Sequence, residues 1–382
     1  MITVLGAIDP DSLGPTLMHE HLASDMLLPE VPTGYRRVGP LSAEFVRRFQ
    51  ESGRYFRVPR TPEQQAFWDR PDITADMHEQ LGRGWLTNSM FVLDDEATTV
   101  AELDRYRARG GGTVVDVTTV GIGRSPERLR RLAERTGVHL VMGTGWYRWP
   151  FHPPELSRMS VEQLAGTMVR EITEGVGPAR IRAGIIGEIP VDAAGLRLTA
   201  PLSHVYPDSE IVALRQSTAA RITSGRARLE DVYHVDELKV LRAAYLDLLE
   251  REGANLRRVV IGHADQVLAS DSLARQAFAR GVYLQLDYAL QTYATGEVWP
   301  LEQSMNRIAW AVREGYGPQL LLSLDLCFRQ GLAKYGGGGL TTLQDKILPA
   351  LRARGVSEEA IRQIVVDNPK RVLALAPASP AP

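Results

Sequence analysis

Short apolar runs alternate along the chain with longer stretches in which apolar residues recur at helical spacing. Most of these runs are nearly continuous in Val, Ile, Leu and Met, which is typical of strands buried on both faces of a parallel sheet. Eight such runs, separated by helical stretches, predict an α/β protein with the architecture of a (β/α)8 TIM barrel. The predicted strands are Thr16–His21, Thr113–Thr118, His139–Trp146, Arg182–Ile189, Leu229–His234, Val259–Ala264, Val282–Asp287 and Leu320–Asp325.

Two connections are longer than a compact barrel requires. Residues 28–93 separate the first strand from its helix, and residues 190–208 follow the fourth strand. The first insertion is rich in Pro, Gly and aromatic residues, which favours equally a lid over the substrate and an apolar surface for a subunit partner. One predicted domain covers residues 1–375, and the tail of residues 376–382, rich in Ala, Pro and Ser, is expected to be disordered.

Charge and cysteine content exclude several classes of partner. The 382 residues have a formal net charge of −2, which gives no electrostatic attraction to nucleic acid or to an anionic membrane. Cys327 is the only cysteine, as is common in a reducing compartment. The first residues lack a basic segment followed by a long apolar one, and no stretch reaches about 20 apolar residues. We therefore expect no signal peptide, no membrane span and a cytoplasmic protein that acts on a small molecule.

Residues that commonly bind metal ions stand at the ends of five predicted strands. His19 and His21 end the first strand, and side chains two residues apart on a strand face the same side. Histidine is the commonest ligand of zinc-like ions, and a charged carboxylate that ends an apolar strand is costly unless it is paired or metal-bound. The carboxyl ends of barrel strands form one rim, where barrel active sites lie. The other residues at this rim are Glu188, His234, His263 and Asp325.

Seven segments of the chain carry a recognisable pattern: Gly14–His21, Gly111–Thr118, Gly121–Pro126, Thr136–Tyr147, Gly262–Asp265, Leu322–Cys327 and Asn368–Arg371. Together they resemble the phosphotriesterase family of the amidohydrolase superfamily, and in particular its glutamate-bridged and lactonase-type members. The resemblance covers most of the chain outside the two insertions. It implies two divalent metal ions, expected to be zinc with Mn, Co or Fe as alternatives, and a metal-bridging hydroxide that attacks the substrate.

The resemblance also assigns the metal ligands. It implies that the more buried ion is bound by His19, His21 and Asp325, and the more exposed ion by His234 and His263. Glu188 would bridge the two ions, in the place where many members have a carboxylated lysine. His204 is the alternative to His234, but it would leave too few residues for a helix between strands four and five.

Three residues are expected to take part in the chemistry beyond metal binding. Asp325 would accept the proton of the attacking hydroxide. Asp265 would relay that proton or orient His263, with capping of the following helix as the alternative. Tyr147 would steer a substrate carbonyl, with packing at a strand end as the alternative.

The resemblance, through Tyr147 and the glutamate bridge, favours a carboxylic ester or a lactone as the substrate. A phosphotriester and an amide are the alternatives within the same chemistry, because all of them need an activated water and a Lewis acid. A non-catalytic binding barrel is the alternative from another class. A homodimer is compatible with the exposed faces of such a barrel.

Overall fold

Parallel strands form the centre of the protein, and seven of the eight predicted strands lie in the residues that the structure describes. The computed structural model describes residues 1–26, 61–77, 80–81, 85, 87–147, 151, 153–189, 245–287 and 301–375. The described strands, in chain order, are β1 Ile2–Thr3, β2 Gly6–Ala7, β3 Thr16–Glu20, β4 Thr113–Asp116, β5 His139–Thr144, β6 Ile185–Ile186, β7 Val260–Ile261, β8 Tyr283–Leu286 and β9 Leu320–Leu322. One sheet has the order β3-β4-β5-β6 and a second the order β7-β8-β9, and every neighbouring pair in them is parallel.

The two sheets meet where the first and the last of these strands lie side by side. The Ser323 hydroxyl, just after β9, accepts a hydrogen bond from His19 N (2.7 Å) and lies 2.9 Å from His19 O. The Asp325 N–H donates to the same carbonyl at 3.1 Å. The fold is therefore α/β with parallel sheets, as the sequence predicts. The complete eight-stranded barrel stays a prediction, because the predicted strand Leu229–His234 lies outside the described residues.

Alternate residues of the strands enter two different apolar clusters. Met18, Val115, Val141 and Leu321 belong to one cluster. Their neighbours on the same strands, which include Leu17, Val114, Leu140 and Leu320, belong to the larger cluster that contains the helices. Side chains alternate across a strand, so each sheet buries both of its faces. An inner layer and an outer layer of apolar side chains are what a parallel barrel requires.

The helices follow the strands and begin and end where the sequence signals them. Ser125 precedes the helix Pro126–Thr136, which ends at Gly137 with a left-handed φ of 67°. Ser357 caps the helix Glu358–Arg362 by accepting from Ala360 N. The other α-helices are Pro62–Trp68, Glu96–Ala108, Val161–Thr173, residues 245–251, Asp265–Leu268, Asp271–Ala279, Leu301–Arg313, Leu348–Arg352 and Asn368–Leu373, with π-helical turns at Leu343–Ile347 and Gln363–Asp367.

A short hairpin at the start of the chain does not appear among the predicted elements. Its strands, β1 Ile2–Thr3 and β2 Gly6–Ala7, pair antiparallel. Val4 N donates to Leu140 O at 2.9 Å, so the hairpin packs beside β5. Met1 belongs to the cluster that contains Met18 and Val115, so the hairpin covers one end of the strands.

The described part of the first insertion packs into the chain's own core. Phe67, Trp68, Met90 and Phe91 are buried, and Trp68 lies against Phe91 with ring centroids 6.0 Å apart. These apolar residues are therefore covered within this chain. Residues 28–60, the second insertion at 190–208 and the tail at 376–382 lie outside the described residues. Among the described helices, none is both long and apolar enough to cross a membrane.

Candidate metal centre

The first strand contains a bulge that orients its histidines. Leu17 pairs with Val114 and Glu20 with Asp116, so β3 has one residue more than β4 over this stretch. The extra residue puts Glu20 on the same side as Leu17, although the two are three positions apart. His19 is left on the opposite side, the side on which the other candidate ligands lie.

Two other candidate ligands stand on backbone that has left the strand. His263 has φ 48° and Asp325 has φ 49°, values that are uncommon for residues other than glycine. Hydrogen bonds hold both in place: His263 N donates to Asp287 Oδ1 at 3.1 Å and Asp325 N donates to His19 O. This turn of the backbone is why β7 and β9 end before the predicted strand ends, and it aims both side chains across the strand ends.

Five of the six predicted ligands lie together in the described structure. Glu188 lies between the histidines: its Oε2 faces His19 and His21, and its Oε1 faces His263. Asp325 Oδ1 lies near the Nε2 atoms of His19 and His21. The distances are His19 Nε2–Glu188 Oε2 3.6 Å, His21 Nε2–Glu188 Oε2 3.8 Å, His263 Nε2–Glu188 Oε1 3.5 Å, His19 Nε2–Asp325 Oδ1 3.6 Å and His21 Nε2–Asp325 Oδ1 3.2 Å.

These residues fit divalent metal ions. His19 Nε2 is buried and makes no hydrogen bond to any described residue, although it faces two carboxylates. One candidate ligand group is His19, His21 and Glu188, and another is His19, His263 and Asp325, with the donor atoms of each group within 4.8 Å of one another. Imidazole nitrogens and carboxylate oxygens are the usual donors for Zn²⁺ and related ions.

A buried carboxylate that is not among the predicted site residues lies beside two of the histidines. Asp287 Oδ1 is 2.8 Å from His263 Nδ1, and Asp287 Oδ2 is 3.3 Å from His19 Nδ1. Gln285 Nε2 also donates to Asp287 Oδ2 at 2.7 Å. Asp287 thus fixes the orientation of both rings through their Nδ1 atoms, so that both Nε2 atoms face Glu188, the side on which a metal ion would bind. Its signal was present in the sequence, since it ends the predicted strand Val282–Asp287 just as Asp325 ends another.

The histidines and carboxylates of this centre shift one another's pKa values. Burial lowers the pKa of His19, but Asp287, Glu188 and Asp325 outweigh burial and raise that pKa to about 9. Burial raises the pKa of Glu188, but His19 and His263 hold it well below its usual range. The pKa of Asp287, in the same way, falls to about 2 despite burial, because of His263 and His19. Without a metal ion the histidines therefore hold protons that balance the carboxylates, and a divalent cation would replace those protons.

Two further groups position the ligands. Thr118 Oγ1 lies 3.0 Å from His21 Nδ1 and orients that ring. Glu20 is fully buried, and its carboxylate accepts from Ser323 Oγ at 2.7 Å, Leu324 N at 2.8 Å and Leu326 N at 3.0 Å. Burial raises the pKa of Glu20 to about 7, against the lowering effect of these hydrogen bonds. Glu20 therefore ties the first strand to the loop that carries Asp325.

The remaining predicted site residues are placed differently. Asp265 is buried as the first residue of the helix Asp265–Leu268, whose cap position is Ala264, and its Oδ2 accepts from Asp287 N at 3.4 Å. Tyr147 is buried, and its ring packs edge-on against Phe151 with centroids 5.4 Å apart. The predicted ligand His234 and its alternative His204 lie outside the described residues.

Comparison with known proteins agrees with this geometry. N-acetyltaurine hydrolase of Tetraodon nigroviridis is 29% identical over 379 residues, which is 97% of each chain, and N-acetyltaurine hydrolase of Homo sapiens is 28% identical over 378 residues, with the same coverage. A resiniferatoxin-binding protein from Rhodobacter sphaeroides superposes with a TM-score of 0.75 and 28% identity, covering 98% of this chain and 94% of that one.

More distant structures share the fold. A mutant of the phosphotriesterase-like lactonase of Deinococcus radiodurans superposes with a TM-score of 0.59 at 22% identity, covering 98% of this chain and 99% of that one. The model of the Phosphotriesterase family matches residues 1–373. This match spans nearly the whole chain, including every described strand and each of the clustered histidines and carboxylates, and the chain belongs to the phosphotriesterase family.

Proposed function

We propose that this protein is a hydrolase that uses two divalent metal ions to cleave a carboxylic acyl bond, with the amide of a small N-acylated acid as its first candidate substrate. The position of Glu188 is the observation that supports a site for two metal ions. Its two carboxylate oxygens face different histidines, Oε2 toward His19 and His21 and Oε1 toward His263. A carboxylate placed in this way is suited to bridge two cations.

The side chains would divide between the ions as the resemblance implies. His19, His21 and Asp325 would hold the more buried ion. His263, whose side chain is 39% exposed against 5% for His19, would hold the more accessible one together with His234. When bound, the ions supply the Lewis acidity that lowers the pKa of water and polarises the acyl carbonyl.

The chain's own residues supply the proton transfer and the orientation. Asp325 Oδ1 lies beside the Nε2 atoms of His19 and His21, so its carboxylate is placed to accept a proton from the attacking water. Asp287 holds His19 and His263 by their Nδ1 atoms, and Glu20 holds the loop on which Asp325 stands. The reacting groups are thus fixed before the substrate binds, which is the main contribution a protein makes to such a reaction.

The amide is the first candidate because the N-acetyltaurine hydrolases match this chain over almost its whole length. An ester or a lactone, which the sequence favours, is the second candidate. The lactonase likeness stands at 22% identity and supports the fold alone. However, an ester with the same acyl group has a better leaving group than the amide, so a site that hydrolyses the amide is also expected to hydrolyse the ester.

A screen of matched substrates tests the proposal. Metal-reconstituted protein is assayed with N-acetyltaurine, with acetate esters, with lactones and with a phosphotriester, and the metal content is measured in parallel. We expect about two ions per chain and turnover of the acetamide, and we expect Glu188→Gln to abolish turnover. A chain that binds two ions but cleaves only the phosphotriester would refute the acyl assignment, and turnover retained by Glu188→Gln would refute the bridging role.

A binding protein without catalysis is the alternative from another class, and one relative is named for binding resiniferatoxin. The same screen separates the two. Protein that contains no metal and turns over none of the four substrate classes, yet binds one of them in a calorimetric titration, would support the binding alternative and contradict the proposal.

A further inference from the structure

One arginine connects the first insertion to the loop that carries Asp325. Arg329 donates from Nε to Val92 O at 2.7 Å, from Nη1 to Asp72 Oδ1 at 3.0 Å and from Nη2 to Asp94 Oδ1 at 2.7 Å. These three partners all lie in or next to the insertion, and the Arg329 side chain is only 13% exposed. The guanidinium therefore uses its three nitrogens on three separate residues of one structural element, an arrangement that lysine could not reproduce.

The neighbouring aromatic residue strengthens the same connection. Phe328 meets Phe91 edge-on, with ring centroids 5.2 Å apart and planes at 87°. Such edge-on pairs stabilise a contact beyond the apolar area that they bury. Polar and apolar contacts thus hold the two segments together at one place.

Both ends of this connection are close to candidate metal ligands. Arg329 follows Asp325 by four residues, so the Cα atoms of the two are at most about 14 Å apart. On the other side, Leu93 N donates to Ser24 O at 2.8 Å and Met26 N donates to Phe91 O at 3.0 Å. Ser24 follows His21 by three residues, a span of at most about 11 Å.

We propose that Arg329 is a positioning residue that fastens the described part of the first insertion, residues 61–77 and 87–93, beside the metal centre and thereby determines which substrates reach that centre. The proposal rests on the proposed hydrolase function for its substrate part. Loops that follow barrel strands form the mouth of the active site, and the insertion is held on the side of the first and eighth strands. Substrate binding should depend on this contact more than the chemical step does, because the described hydrogen bonds of the Arg329 guanidinium go to Val92, Asp72 and Asp94, outside the set of clustered ligands.

The experiment uses two independent ways of breaking the contact. Arg329→Gln removes the positive charge on the loop that carries Asp325. The double variant Asp72→Asn with Asp94→Asn removes the two negative charges that the guanidinium binds on the insertion side. Arg329→Lys keeps the charge but not the forked geometry. Arg280→Gln is the matched control, since Arg280 also binds two carboxylates, Asp247 at 2.6 Å and Glu250 at 2.8 Å, between helices away from the centre.

Two measurements are made on each full-length, metal-loaded variant. Hydrogen–deuterium exchange reports the insertion directly: residues 61–77 and 87–93 should exchange about tenfold faster in both contact-breaking variants, while the strands stay protected. Steady-state kinetics with a small and a bulky N-acyl substrate should show KM changed about tenfold, unequally for the two substrates, with kcat within about twofold. Metal content should equal that of the wild type, and Arg280→Gln should change none of these values.

Each outcome decides one part of the inference. Unchanged exchange in both contact-breaking variants overturns the fastening role. Faster exchange with unchanged KM values overturns the role in substrate selection. If the wild type itself hydrolyses none of the substrates, the proposed function fails and the selection role fails with it, while the exchange data still show whether Arg329 fastens the insertion. Should Arg329→Gln not fold, the double variant, which leaves the arginine and its loop intact, provides the same test.

Discussion

Replacing Asp287 by Asn should weaken the binding of both metal ions. Asp287 Oδ1 accepts from His263 Nδ1 at 2.8 Å, Asp287 Oδ2 lies 3.3 Å from His19 Nδ1, and these two histidines are assigned to different ions. The asparagine is almost identical in shape, so the packing should survive. Its amide oxygen can accept from one ring only, and its NH₂ group would face the protonated Nδ1 of the other ring.

The size of the effect follows from this geometry. The Asp287 side chain has no exposed surface, so water cannot replace the lost acceptor. Loss of a carboxylate behind a metal-bound histidine typically costs tenfold to a hundredfold in metal affinity, or about 1.4–2.7 kcal/mol. Because the one carboxylate serves both rings, we expect a loss in this range at each of the two sites.

Calorimetric titration of the metal-free protein with Zn²⁺ in competition with a chelator provides the assay. It should be run at pH 9 and pH 10, because Asp287 also raises the pKa of His19, to about 9; at lower pH the loss of that effect would relieve proton competition and mask the weaker binding. Glu102→Gln is the control: Glu102 is buried and accepts from Ala333 N at 2.7 Å and Leu340 N at 3.0 Å, with no contact to the clustered histidines. Weakening of only one site would refute the shared role of Asp287, and unchanged affinity at both sites would refute its role altogether.

Three further predictions concern protons and stability. Metal affinity should rise from pH 6 to pH 9 with release of protons, because His19, whose pKa is raised to about 9, must lose its proton; a titration without proton release would contradict this. Glu20→Gln should lower the free energy of unfolding by about 1–3 kcal/mol, since the new NH₂ group would face Leu326 N–H, and a melting temperature equal to that of the wild type would argue against it. Glu171→Ala should cost about 3 kcal/mol by leaving the buried Arg124 unpaired. Because pairing lowers the pKa of Glu171 despite burial, its stabilisation should be present above pH 4.5 and be lost as the pH falls below it; urea unfolding at pH 7 and pH 3 measures both effects.

The parallel strands and the residues at their ends could be predicted because both depend on local sequence. A run such as Leu320–Leu322 is apolar because the strand is buried on both faces, and a residue such as Asp325 stands out because it interrupts that pattern. The same rule, applied without regard to family motifs, would also have selected Asp287. The family prediction is confirmed by the match over residues 1–373.

Other features depend on contacts between distant parts of the chain and leave no local signal. The bulge in β3 is defined only by its pairing with β4, almost 100 residues later. Glu20 reads as the middle of a His-Glu-His motif, yet its partners Ser323, Leu324 and Leu326 lie more than 300 residues away. Arg329 is likewise one of many arginines until its partners in the insertion are known. Such contacts need the folded structure.

Hydrogen bonds hold the candidate ligands His263 and Asp325 in place, although the strands that precede them have already ended. The strands β7 and β9 end early, and His263 and Asp325 have left-handed backbone conformations that cost free energy when they stand alone. Each is held by a hydrogen bond from its own N–H, to Asp287 in one case and to the carbonyl of His19 in the other. The same Asp287 contacts the His19 ring, so the backbone of one ligand and the side chain of another depend on a single carboxylate. Ligand orientation and loop conformation therefore depend on each other through Asp287. A substitution of Asp287 should reduce metal affinity more than it reduces the free energy of unfolding.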